Sequence, residues 1–178
     1  MTVRWIDAEF CKRLAPFASC IVAVMLLAGC TPPRYDPLTG VVKKEGVSYR
    51  AAAPGPGWRL VQATGDAAFF NDATLAAIAA NASCTEKGDP PLRVLLNHLL
   101  FGFTDKKIVA EETVTLDGRE ALKASFAARL DGVPRRFLVY VLKKDGCVFD
   151  LQYHAPEAAY ESGIPTFETF VKGFGTIR

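Results

Sequence analysis

The chain has 178 residues, with 21 basic and 19 acidic side chains, two histidines and five cysteines. A net charge of +2 gives no strong field to attract nucleic acid or an anionic membrane. The length suits one domain behind a short leader.

Arg4, Lys12 and Arg13 make a basic start, partly offset by Asp7 and Glu9, and Leu14 to Gly29 carry no charge. Sixteen uncharged residues span about 24 Å as a helix at ~1.5 Å per residue, short of the ~30 Å core of a bilayer. The segment is therefore read as a signal-peptide core. It ends in Leu27-Ala28-Gly29-Cys30, which resembles the lipobox of bacterial lipoprotein signal peptides. The resemblance implies that residues 1–29 are removed and that the Cys30 thiol receives a diacylglycerol. The new N-terminus is then acylated, and several acyl chains together anchor a protein stably. Thr31 follows the cysteine, and the lack of Asp there leans toward the outer rather than the inner membrane, facing the periplasm. The leader takes three basic and two acidic residues with it, so the remaining chain stays near neutral. Its dibasic pairs, Lys43-Lys44, Lys106-Lys107, Arg135-Arg136 and Lys143-Lys144, are scattered and are read as solvated turns and strand ends.

Residues 30–46 contain Pro32, Pro33, Pro37 and Gly40 and are expected to form a lipidated, extended tether reaching about 50 Å. A single globular domain is then expected over 47–178. "VSYRAAAPGPGWRLV" reads as strand, Gly/Pro turn and strand, with Trp58 a core anchor, and "DAAFFND" as a short strand. The alanines of "ATLAAIAANASC" favour helix by propensity. As a strand, the segment places Ala76, Ile78, Ala80, Ala82 and Cys84 on one face and Asn81 and Ser83 on the other, and strand is the reading taken. "DPPLRVLLNHLLFGF" predicts a helix capped by Asp89, with Leu92, Leu95, Leu96, Leu99, Leu100 and Phe103 on one stripe. Val94, His98 and Phe101 form a second, smaller stripe. It is either covered by another element or an exposed patch for a partner.

"KKIVAEETVTL", "EALKASFAARL", "PRRFLVYVL" and "CVFDLQYHA" are four strand-like runs separated by Asp117-Gly118, Asp131-Gly132 and Asp145-Gly146. Asp-Gly between such runs predicts tight hairpins, hence an antiparallel meander. The second run is expected to have one wet face, bearing Lys123, Ser125 and Arg129. The third is apolar on both faces and central. The fourth has Cys147, Phe149, Leu151 and Tyr153 facing the core, with Asp150, Gln152 and His154 solvated. Phe167, Phe170, Val171 and Phe174 predict a closing helix stopped by Gly175. An antiparallel sheet flanked by helices is an α+β layer fold.

This order of elements, with Trp58 after a Gly/Pro turn, the Asp117-Gly118-Arg119-Glu120-Ala121 turn and a Phe-rich closing helix, resembles the PsbP-type α/β/α sandwich. That fold occurs in photosystem II extrinsic proteins and in small bacterial lipoproteins. The resemblance covers about residues 47–178. It implies a non-catalytic binding or assembly module; with the anchor that the lipobox implies at Cys30, the expectation is a protein with no cofactor that meets the membrane through Cys30 and has an envelope protein as partner.

Once the leader cysteines Cys11 and Cys20 are gone, Cys84 and Cys147 are an even pair in an oxidising space, and a disulfide between them is expected. The alternative is a thiol- or metal-dependent periplasmic enzyme that uses Cys84, Cys147, His98 and His154. No Cys-x-x-Cys, Gly-x-Ser-x-Gly, His-Glu-x-x-His or Gly-x-x-x-x-Gly-Lys motif supports catalysis. Glu111 and Glu112, adjacent on a strand, must point to opposite faces.

Overall fold

The computed structural model describes residues 34–62, 65–84 and 88–177. The leader 1–29 and Cys30 lie outside the described residues. The elements in chain order are β1 (Arg34–Asp36), β2 (Val41–Lys44), β3 (Val47–Arg50), β4 (Arg59–Leu60), β5 (Ala67–Asn71), β6 (Ala76–Ser83) and α1 (Leu92–Leu99). They continue with β7 (Thr104–Leu116), β8 (Arg119–Leu130), β9 (Val133–Lys144), β10 (Cys147–Ala155), α2 (Glu157–Lys172) and β11 (Gly175–Ile177).

Seven strands form one antiparallel sheet in the order β4-β5-β6-β10-β9-β8-β7. The meander β7 to β10 turns at the three Asp-Gly pairs. Asp117, Asp131 and Asp145 have φ of 48°, 51° and 51°, followed by glycines at 72°, 78° and 77°. Two successive positive φ values are what a tight hairpin needs, and Asp-Gly supplies them at low steric cost. Phe137 to Leu142 of β9 are buried on both faces. The outer strand β7 is exposed along most of its length. Lys106, Lys107 and two register shifts protect this edge from further pairing.

The α+β layering is built on both faces of this sheet. One face carries Ile78, Ala80, Leu138, Tyr140, Leu142, Phe149, Leu151 and Tyr153 under α2 and a smaller sheet. The opposite face carries Ala124, Phe126, Phe137, Val139 and Val141 under α1, through Leu95, Leu96 and Leu100. Phe103 closes this second core against Phe126 and Phe137, whose rings stack at 4.7 Å.

Several expectations are corrected. Residues 34–46, expected to belong to an extended tether, are part of the fold. β1 and β2 form a hairpin whose turn is held by the Asp36 carboxylate, which accepts from the Leu38 N–H at 3.0 Å and the Thr39 hydroxyl at 2.6 Å. That hairpin joins β3 and β11 in a four-stranded sheet of order β1-β2-β3-β11, and Val42 is fully buried. Trp58 is half-buried at the margin of the core. Asp89 does not cap α1. Pro91 occupies the N-cap, with no side-chain capping bond, and Asp89 pairs instead with Lys143. The face of β8 expected to be wet is half-buried. Lys123 lies there between Glu112 and Glu168, 3.1 Å from each, beside the Tyr140 ring. The closing helix starts at Glu157, ahead of the phenylalanine stripe, and contains Pro165. It ends at Gly173 rather than Gly175, and residues 175–177 pair with β3.

Gly163 of α2 sits directly over the Tyr153 ring of β10, and a Cβ at this position would lie 2.1 Å from the Tyr153 hydroxyl oxygen. That hydroxyl donates to the Tyr160 carbonyl at 2.9 Å. Replacing a helical glycine by alanine ordinarily stabilises by about 0.5–1 kcal/mol. Here the overlap reverses the sign, and Gly163→Ala is expected to destabilise by about 1–3 kcal/mol in denaturant titration. Adding Tyr153→Phe, which removes the atom nearest the new methyl, should recover part of the loss.

Candidate functional site

Three hairpin turns meet at one end of the molecule: Glu45–Gly46 between β2 and β3, Asp117–Gly118, and Asp145–Gly146. Between the small sheet and the β9–β10 hairpin lies an open cleft of about 490 Å³, lined by Lys44, Val47, Ser48, Asp145, Cys147 and Thr176 among others. Shallower hollows continue from it around Arg119, Lys143 and Asp89.

Cys147 lines the cleft and is bonded to Cys84. The pairing follows from register. Val148 stands opposite Ser83, so the next position out puts Cys147 opposite Cys84, with Cα atoms 4.1 Å apart. The bond closes 63 residues of chain.

Two carboxylates hold the cleft walls together. Asp66, just before β5, is almost fully buried. One of its oxygens accepts from Lys44 Nζ at 3.0 Å, and the other accepts from the Tyr49 hydroxyl at 2.9 Å and the Ala82 N–H at 2.8 Å. Burial, and the Asp66 charge next to it, push the Tyr49 phenol well above its ordinary range. Asp117 accepts from Lys144 Nζ at 2.7 Å and from both the N–H and the hydroxyl of Thr176 at 2.9 Å. Partial burial works against the Asp117 charge, but these bonds outweigh it and lower its pKa.

On the α1 face, Asn81 bridges the carboxylate of Asp150 at 2.8 Å and the backbone N–H of Asp66 at 3.1 Å. Burial raises the Asp150 pKa. His154, expected to be solvated, is largely covered. Its ring packs on Phe137 at 5.4 Å, and its Nδ1 has no hydrogen-bond partner. Burial, then the nearby charge of Arg135, lower its pKa to about 4. His154 and the two cysteines therefore belong to opposite faces of the sheet, and both cysteine sulfurs are committed to each other. The set Cys84, Cys147, His98 and His154 does not assemble. Among the described residues, no three His, Cys, Asp or Glu side chains converge as a metal-holding group. Glu111 and Glu112 do point apart: Glu111 pairs with Arg93 of α1, and Glu112 with Lys123 on the α2 side.

Val94 is 38% exposed, His98 is exposed and Phe101 is 90% exposed, so no described element covers this stripe. Phe101 lies where α1 turns into β7, close to the pairing of Thr104 with Arg129. That is the end of the molecule opposite the cleft.

Sequence reasoning missed Asp66, Lys44 and Thr176 as structural partners and saw Asp117 only as a turn residue. The one available signal for Asp66 was an acid placed directly before the apolar run Ala67 to Phe70.

No family model and no curated protein matches the sequence. Solved structures do match in fold. Cyanobacterial PsbP (CyanoP) from Synechocystis sp. PCC 6803 aligns with a TM-score of 0.52 at 16% identity, over 92% of this chain and 100% of that one. LpqN, involved in cell envelope biogenesis of Mycobacterium tuberculosis, aligns with a TM-score of 0.53 at 16% identity, over 75% of this chain and 86% of that one. The fold is PsbP-like. At this identity the likeness speaks for architecture alone.

Two measurements follow from the geometry. Reducing the disulfide should lower stability by about 4 kcal/mol at most, from the loop-closure entropy of 63 residues. Guanidinium titrations with and without reductant measure this, and a Cys84→Ala/Cys147→Ala variant should be insensitive to the reductant. For His154, the folded state resists the proton that the unfolded state accepts near pH 6.5. Its contribution to stability is thus complete above pH 6.5 and is lost as pH falls toward 4. Asp150, with a raised pKa, acts in the opposite sense, so the readout is a difference. His154→Gln should show a shallower loss of stability between pH 6.5 and 4 than the parent.

Proposed function

We propose that the chain is a membrane-anchored cell-envelope lipoprotein whose PsbP-like domain is a non-catalytic binding or assembly module. The observation that carries this reading is the Cys84–Cys147 disulfide in a chain whose preceding cysteine, Cys30, directly follows the uncharged run Leu14 to Gly29. Disulfides persist outside the cytosol, and a diacylated cysteine is how such a domain is held there without a spanning helix. Among the described residues no helix is long and apolar enough to cross a membrane. A fold neighbour involved in cell envelope biogenesis is consistent with the compartment, and Thr31 after Cys30 favours the outer membrane.

The partner is an envelope protein, and the surface assigned to it is the stripe of Val94, His98 and Phe101. An almost fully exposed phenylalanine next to an exposed valine is the kind of apolar anchor that interfaces bury.

The test uses cells grown with an alkyne-tagged palmitate. The parent should carry the tag and sediment with membranes, and Cys30→Ser should lose both properties. A photo-crosslinking residue in place of Phe101 should give a discrete adduct in cells, absent when the same residue replaces exposed Leu75. Tag-free parent protein in the soluble fraction would sink the anchor. Identical adduct patterns at both positions would sink the patch.

A further inference from the structure

We infer that the cleft end of the domain faces the lipid surface carrying the acyl chains of Cys30, with the long axis of the large sheet rising away from it. This rests on the anchoring of Cys30 proposed above. The argument begins where the fold begins. β1 starts at Arg34, four residues after Cys30, and four residues span at most about 14 Å even when fully extended. The lipid is therefore held close to the residue at which the chain enters the fold, whatever path those residues take.

That residue shares a row of the small sheet with the cleft lining, three strands and about 14 Å from β11 at ~4.8 Å per strand, while its neighbour Tyr35 packs on Phe69 of β5. In the small sheet Arg34 stands opposite Lys43, Lys43 opposite Ser48, and Ser48 opposite Ile177. This row is one step from the Glu45–Gly46 turn, and Ser48 and Ile177 line the cleft. β1 runs inward from this row toward the Pro37–Gly40 turn. The hairpin turns Asp117–Gly118 and Asp145–Gly146 border the same cleft and the hollows beside it. Together these turns form a broad end face on the side of the molecule to which the row of Arg34 leads. The opposite end of the sheet, at Asp131–Gly132, is separated from Asp145 by the twelve residues of β9, about 40 Å at ~3.3 Å per residue. A 14 Å leash cannot bring that far end to the lipid surface unless the domain lies flat. The surface at the cleft end suits headgroup contact: Lys43 is exposed, and Ile177 is 40% exposed. Whatever enters the 490 Å³ cleft then does so at headgroup level.

Two single-thiol variants test this orientation. Lys43→Cys places a reporter beside Arg34. Val133→Cys, 52% exposed, places one at the far end. Each protein is extracted from membranes, its lipid verified by intact mass, and the new thiol labelled with a small fluorophore. The labelled protein is reconstituted in phosphatidylethanolamine–phosphatidylglycerol vesicles containing a headgroup spin-labelled lipid. Quenching at position 43 should exceed that at 133 several-fold. With lipid present on Cys30, comparable quenching at both positions, or stronger quenching at 133, would overturn the orientation while leaving the anchor standing. An intact mass without lipid would overturn both, and the mass spectrum tells the two failures apart.

Discussion

The small sheet is held to the large one by a buried carboxylate. Asp66 joins Lys44 of β2, Tyr49 of β3 and the Ala82 N–H of β6, so three strands from two sheets converge on one side chain. A buried charge is costly unless its oxygens are satisfied, and here both are. Charge-assisted bonds of this kind are the stronger ones. They are also directional, which apolar packing is not. The aromatic contacts of Tyr49 with Phe149 and Phe174 fill the space between the layers, while Asp66 fixes their relative position. Asp117 does the same on the far side of the cleft, reaching β11 through Thr176 and β9 through Lys144. The cleft is thus a gap between two layers pinned at both sides, with the Cys84–Cys147 bond at its base.

The same pinning decides where the N-terminus goes. A hairpin as short as β1–β2 would be marginal alone. It persists because Val42 enters the main core and Lys44 is captured by Asp66. Residues 34–46, which Pro37 and Gly40 mark as extended, are folded by tertiary contacts. Its consequence is that the lipid proposed on Cys30, four residues before Arg34, would be held close to the body of the protein.

Much of the large sheet was legible in the sequence. The Asp-Gly pairs fixed the meander, and strict alternation placed Cys84 and Cys147 on one face, against the helical propensity of the alanine run. Period and turn chemistry are local, and they survived because tertiary packing agreed with them. The misses share a cause. β1, β2 and β11 have three or four residues each and carry no period long enough to register. The early part of α2 hides behind Pro165, which reads as a boundary and is tolerated inside a helix packed through Phe167 on Tyr140 and Tyr153. His154 lies in phase with Asp150 and Gln152 and so reads as wet, because alternation cannot reveal that its face is also covered. The partners of Asp66 lie 16 to 22 residues away, and no local pattern connects them.

The positions of the two candidate surfaces also bear on each other. α1 follows Asp89 and Pro90, which contact Lys143 near the cleft, and leads toward Phe101 at the other end. β7 then returns along the sheet edge, from Thr104 to the turn at Asp117. An apolar stripe near the lipid would be covered by the bilayer and lost to any protein partner. Placed at the far end of a strand of thirteen residues, Phe101 would be held well clear of the anchor in the orientation proposed above. The Asp105–Arg129 pair and the Phe103–Phe137 contact keep the start of β7 docked beside it. On the anchoring proposed above, such a domain would meet a partner at Phe101 on the side away from its own membrane. The constraint that sets this polarity is the one on which the fold depends, the capture of β2 and β3 by Asp66.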